Sequence, residues 1–161
     1  MIHKQSVSGF TLVETLVATG LIVTAVAGLA QLFDLSVRFT RDAGQFGVAL
    51  VAAQDKIETL RALPFGYAAG GVPITDTRLD AAPPDSLGAD VERYVDWLDE
   101  QGFALSHSGG AAYVRRWRIT TMAADEPETI AIEVCVFRLP GVTSLPAHAD
   151  ACLATIRVRQ S

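Results

Sequence analysis

Apolar and polar positions divide the chain into stretches of different period. After a short polar start, MIHKQSVSG, nothing from Phe10 to Phe33 is strongly polar except Glu14 and Gln31. At 1.5 Å per residue that run makes a helix of roughly 36 Å, enough to cross a bilayer. It lacks the polar face that a helix in a soluble core needs. From Leu35 the pattern changes. Leu35, Phe39, Phe46, Leu50, Ala53, Ile57 and Leu60 recur at mostly three- and four-residue steps, with Arg38, Asp42, Asp55 and Glu58 between them. The same helix therefore continues in amphipathic form. Pro64, Gly66, Gly70 and Gly71 end it, so one helix is predicted over about residues 11–63. Gly44 and Gly47 weaken its middle by roughly 1 kcal/mol each relative to alanine, or admit a bend or close packing there.

Residues 64–112 are rich in Gly, Pro and Asp, including Pro73, Pro83-Pro84, Gly88 and Gly109-Gly110, and predict mostly loop. One short helix is expected from Asp90 to Gly102, through Val91, Tyr94, Val95 and Leu98. The last third alternates. Tyr113 to Thr121 places Trp117 and Ile119 on one face and Arg116 and Arg118 on the other. After a turn at Asp125-Glu126-Pro127-Glu128, Ile130 to Arg138 aligns Ile130, Ile132, Val134 and Val136. Beyond a loop with Pro140, Gly141 and Pro146, Ala154 to Arg159 alternates again with Ile156 and Val158 inward. Such strands need a covering layer, and the amphipathic half of the helix supplies it. The predicted class is α+β: a long N-terminal helix on an antiparallel sheet of three or four strands.

The apolar run has two ordinary readings. A secretory signal peptide carries its cleavage site after the run, and Ala25-Val26-Ala27 fits loosely, but the run continues to Phe33, beyond a usual apolar core of about 7–15 residues. A plain single-pass anchor explains the length but leaves Glu14 unexplained, because an acid in a spanning helix costs about 2.5–3.5 kcal/mol near the midplane. Lys4 before the run and Arg38 and Arg41 after it, offset by Asp34 and Asp42, leave the orientation undecided by charge.

The residues around Glu14 supply a third reading. Gly9-Phe10-Thr11-Leu12-Val13-Glu14, followed by Thr15-Leu16-Val17-Ala18, closely resembles the type IV prepilin signature. In that family a membrane peptidase cuts after the glycine, on the cytoplasmic side of the apolar run, and methylates the new terminus. The helix stays in the mature protein. The resemblance implies cleavage between Gly9 and Phe10, N-methylation of Phe10 and an assembly role for Glu14. It implies a leader over 1–9, a membrane and assembly helix over 10–33, an amphipathic continuation over 34–63 and a head over 64–161. Physically, an amine at Phe10 of one helix can neutralise the Glu14 carboxylate of its neighbour. Removing one partner strands a buried charge at a cost of about 3–5 kcal/mol.

The strand Arg116-Trp117-Arg118-Ile119 and the Ile/Val-rich strand after it also resemble the sheet of minor pilins called type IV pilus modification proteins, and of minor pseudopilins of type II secretion. Together the resemblances imply a non-catalytic minor pilin. Its partners are a prepilin peptidase and other pilin subunits, met through the N-terminal helix. The chain waits in the inner membrane with its head in the periplasm, then joins a pilus or a periplasmic pseudopilus. Alternatives are a minor pseudopilin and, from another class, a membrane-anchored binding module.

Composition narrows these readings further. The 161 residues suit one domain with one core. The mean hydropathy of +0.29 comes mostly from the first 33 residues. A net charge of −5 argues against nucleic acid as the main partner. Arg115, Arg116, Arg118, Arg157 and Arg159 read as a solvated strand face with Glu133 as a cross-strand partner. Given export, Cys135 and Cys152 favour a disulfide over a metal site, because His3, His107 and His148 are scattered. Asp96, Asp99 and Glu100 lack a calcium-loop pattern. No hydrolase, metalloprotease or phosphate-loop motif occurs, and His107 in Ser106-His107-Ser108 is expected to be exposed. No enzyme activity, metal or cofactor is predicted.

Overall fold

The computed structural model describes residue 9 and residues 11–122, 128–139 and 148–160. Phe10, most of the expected leader, most of the predicted 125–128 turn and the loop with Pro140, Gly141 and Pro146 lie outside the described residues. The chain divides into two compact units, Met1–Ala43 and Gly44–Ser161.

In the first unit helix α1 (Leu12–Arg61) begins. Every described residue of this unit is exposed. Its most apolar 18-residue window has a mean hydropathy of 2.0, long and apolar enough to cross a membrane by length and composition. Four threonines interrupt the apolar sequence without adding unsatisfied polar groups. The hydroxyls of Thr15, Thr19, Thr24 and Thr40 donate to carbonyls three or four residues back, for example Thr15 to Leu12 at 2.9 Å.

In the second unit the rest of α1 packs on an antiparallel sheet. The helix buries Ala49, Ala52, Ala53, Ile57 and Leu60, a stripe at helical spacing whose alanines let the sheet come close. The sheet holds β3 (Val95–Leu98), β4 (Ala104–Leu105), β5 (Tyr113–Thr121), β6 (Thr129–Arg138) and β7 (Ala151–Val158), in the order β4-β3-β5-β6-β7. A separate hairpin, β1 (Phe65–Tyr67) and β2 (Pro73–Thr75), follows the helix. Its turn uses Gly70 and Gly71 at positive φ, which side chains disfavour. The core joins the helix stripe to Trp117, Ile119, Ile130, Ile132, Val134 and Val136, with Ile132, Val134 and Val136 fully buried. The α+β layout therefore stands, with five strands and a hairpin in place of three or four strands.

Three expectations are corrected. The helix expected from Asp90 to Gly102 is instead turns and β3. Val91, Tyr94, Val95 and Leu98 have helical spacing, but Arg93 lies at φ 74, and Val95–Leu98 pairs with β5. The Asp99 carboxylate then accepts the N–H groups of Gln101 and Phe103, setting a turn through Gly102 at φ 87. In β7, Ile156 and Val158 point away from the core and are largely exposed. The register pairs Ile132 with Thr155 and Ile130 with Arg157, so the opposite parity faces the helix. Cys152, expected just before that strand, lies within it opposite Cys135.

Candidate functional site

The N-terminal site is a helix start. Gly9 is exposed and outside any helix or strand, while Phe10, on the other side of the bond expected to be cut, lies outside the described residues. Thr11 precedes α1 and its hydroxyl accepts the Glu14 N–H at 3.3 Å. Thr11-Leu12-Val13-Glu14 thus has the threonine-to-glutamate spacing of a capping box. Glu14 sits in the first turn, exposed, where its negative charge is favoured by the helix dipole. This local role was not read from the sequence, although the spacing carries it, and it adds to the intermolecular one expected for Glu14. The two roles are compatible, since capping uses the Glu14 backbone and pairing would use its carboxylate.

A second cluster, unanticipated in sequence, lies between the head part of α1 and the sheet. Arg115 is 6% exposed in its side chain. Its guanidinium donates to Asp96 at 2.7 and 3.1 Å, to the Ala52 carbonyl at 2.7 Å and to Asp55 at 3.3 Å. Lys56 donates to the same Asp96 oxygen at 2.9 Å, and its ammonium lies 3.6 Å from the centre of the Trp117 ring. Burial pushes the Lys56 ammonium below its usual pKa and Arg115 adds to this, while Asp96 and Asp55 oppose it. Two cations and two carboxylates balance, and each cation is held from several sides. That geometry locks helix to sheet and leaves no free nucleophile or base. The readable signal was Lys56 flanked by Ala53 and Ile57 on the apolar stripe.

The five arginines do not form one solvated face. Arg115 and Arg157 point toward the helix, Arg116 and Arg118 toward the opposite side, as alternation requires. Arg116 is buried and donates to Asp90 at 2.7 and 2.9 Å. Arg118 pairs with Glu133 at 2.7 Å directly across the strands, the one pair of the set that sits as read from sequence. Arg157 donates to the carbonyls of Leu60 and Leu63 at 3.1 and 2.6 Å, and Arg159 to those of Gly66 and Ile74.

Cys135 and Cys152 face each other across β6 and β7 with sulfurs at bonding distance, 2.07 Å, a geometry that fits the expected disulfide. Asp96 and Asp99 are engaged as described above, and Glu100 is exposed beside them. Among the described residues no three His, Cys, Asp or Glu side chains gather as a metal site. His107 is exposed, and its Nδ1 accepts the Gly109 N–H. No family model, curated protein or solved structure matches this chain.

Proposed function

We propose that the chain is a minor pilin, a non-catalytic subunit that is cut between Gly9 and Phe10, methylated at Phe10 and incorporated into a type IV pilus through its N-terminal helix. The observation that carries this reading is Gly9-Phe10 followed by Glu14 at the head of an apolar helix with no buried residue in its first thirty-odd positions. An isolated helix of that kind needs either lipid or neighbouring helices around it. The adjacent β5 and β6, with Arg116-Trp117-Arg118-Ile119 in β5, support a minor subunit by their resemblance.

Before assembly the helix sits in the inner membrane with the head in the periplasm. Side by side, the Phe10 amine of one subunit neutralises the Glu14 carboxylate of another. Coexpression with a prepilin peptidase should remove the mass of residues 1–9 and add one methyl group. An unchanged N-terminus beside an active peptidase overturns the proposal.

Two variants separate pairing from capping. Glu14→Gln and Glu14→Ala both keep the backbone contact with Thr11 and remove the charge, and only glutamine keeps the side-chain length. Charge pairing predicts that both variants insert in the membrane and both lose filament incorporation by roughly a hundredfold. Incorporation of Glu14→Gln at the native level would leave Glu14 as a cap alone. A membrane-anchored module unrelated to filaments tolerates both changes.

A further inference from the structure

Where the chain leaves α1, a cleft of about 720 Å³ opens between residues 61–66 and the edge of β7. β7 is the last strand of the sheet on that side. Along an antiparallel strand the backbone groups point alternately to one neighbour and the other. The Arg159 N–H donates toward β6, to the Glu128 carbonyl, and the Gln160 N–H donates the other way, to the Phe65 carbonyl of β1. Val158 and Ile156 therefore aim their N–H and C=O groups to the same side as Gln160. Of these backbone groups β1 meets only those of Gln160, and no described residue meets those of Val158 and Ile156. Both residues line the cleft, and they are 60% and 62% exposed.

The cleft is also positive. Arg61 and Arg157 both line it. Arg157 uses two of its five N–H donors on the Leu60 and Leu63 carbonyls, and no carboxylate among the described residues pairs with it. Burial, and after it the neighbouring Arg61 charge, lowers the Arg157 pKa, so an arriving anion relieves a repulsion already present. Arg61 does meet Glu58 at 3.2 Å, but both side chains are over half exposed and water screens the pair. A chain with a net charge of −5 thus keeps an arginine without a carboxylate partner beside an open strand edge.

A charge that faces inward at a sheet edge turns away strands that cannot match it. A strand that brings a carboxylate is matched. Whichever way an added strand runs, its residue opposite Arg157 shares the face of Arg157, and the residues on either side share the face of Ile156 and Val158. We infer that this cleft takes an extended acidic peptide of a partner protein, laid along β7, with a carboxylate on Arg157 and Arg61 between two apolar side chains that cover Ile156 and Val158. A second copy's β7 does not suit the place, because it brings Arg157 and Arg159 to a cleft that already holds two cations. The contact leaves the N-terminal helix free and does not rest on the filament reading.

The test uses the full chain in mild detergent with the capped peptide Thr-Val-Glu-Val-Thr, and follows amide exchange residue by residue. The Ile156 and Val158 amides should exchange fast in the chain alone. With peptide at about ten times its Kd they should slow about tenfold, while the Arg157 amide, bonded to β6, stays as it was. Glutamine in place of the peptide's glutamate should weaken binding about tenfold, and Arg61→Glu in the chain should weaken it severalfold. Ile156→Pro removes an outward N–H, leaves the ladder to β6 intact and should abolish binding. If that variant does not fold, Arg61→Glu at the exposed helix end still decides. Amides unaffected by excess peptide, equal binding of the glutamine peptide, or equal slowing by free glutamate would each overturn the inference. Protection in the chain alone that grows with protein concentration would overturn it too, by showing self-pairing.

Discussion

Arg115 and Arg116 follow one another in β5 and must point to opposite faces of the sheet. Both are buried, which is unusual for arginine unless carboxylates or carbonyls meet it. On the helix side Arg115 meets Asp96, Asp55 and Ala52. On the other side Arg116 meets Asp90 and lies 5.1 Å from the Phe137 ring. The neighbouring Arg118–Glu133 pair has nearly the same distance but is over a third exposed at both ends. Solvent decides between the two. Asp90→Ala strands the buried Arg116 guanidinium and should cost roughly 2–3 kcal/mol, the lower range because Asp90 is itself partly exposed. Glu133→Ala should cost under about 1 kcal/mol. Urea unfolding of both variants in mild detergent gives the comparison, and equal losses would refute the burial argument.

At the level of elements, the end of α1 and the register of β7 are linked. A helix leaves its last carbonyls without partners, and Pro64 prevents the chain from continuing as helix to meet them. Arg157 meets one of them, that of Leu60, and the Leu63 carbonyl just beyond the helix, from across the sheet. Burial there, reinforced by Arg61, lowers its pKa from the ordinary arginine value. Turning Arg157 inward turns Ile156 and Val158 outward, against what their hydrophobicity alone predicts. The Cys135–Cys152 pairing holds the same register. Arg157→Met keeps most of the packing and drops the cap. It should cost about 1–2 kcal/mol and speed amide exchange in the last turn of α1, with Arg157→Lys recovering part of the loss. Exchange unchanged at Ala62 and Leu63 would show that the turn holds without it.

What the sequence disclosed follows from the same physics. Long periodic runs were legible, because α1, β5 and β6 each repeat one period for nine residues or more. Their boundaries fell within a few residues of expectation. The stretch 90–102 was misread because a four-residue strand beside a turn can mimic helical spacing, and the positive φ of Arg93 has no sequence signal. Arg115, Arg116 and Arg157 were misplaced for another reason. Alternation tells which residues share a face, but not whether a loop or a helix end arrives to cover that face. The Thr11-to-Glu14 capping contact was missed as well, although its spacing lies in the motif itself.

For the whole molecule, the decisive quantity is apolar surface with nothing on it. From Leu12 to Gly44 no residue of α1 is buried, and Leu12, Leu16, Leu21, Ile22, Val23, Leu32 and Phe33 are each more than 60% exposed. A monomer in water rarely keeps a contiguous apolar patch beyond a few hundred Å². Lipid covers such a surface, and so do neighbouring helices, and the proposed life of the chain uses first one and then the other. Before assembly the chain should therefore remain with membranes through alkaline carbonate and leave them only in detergent. Val23→Arg, near the centre of the run, adds about 2.5–3.5 kcal/mol to insertion and should raise the share of the chain in the carbonate-soluble fraction. The same fractionation distinguishes a cleaved secretory signal, for which the wild-type chain would appear in the soluble fraction, shortened through Ala27. A wild-type chain retained at full helix length, missing at most residues 1–9, requires that the exposed rod be the part that stays in the bilayer.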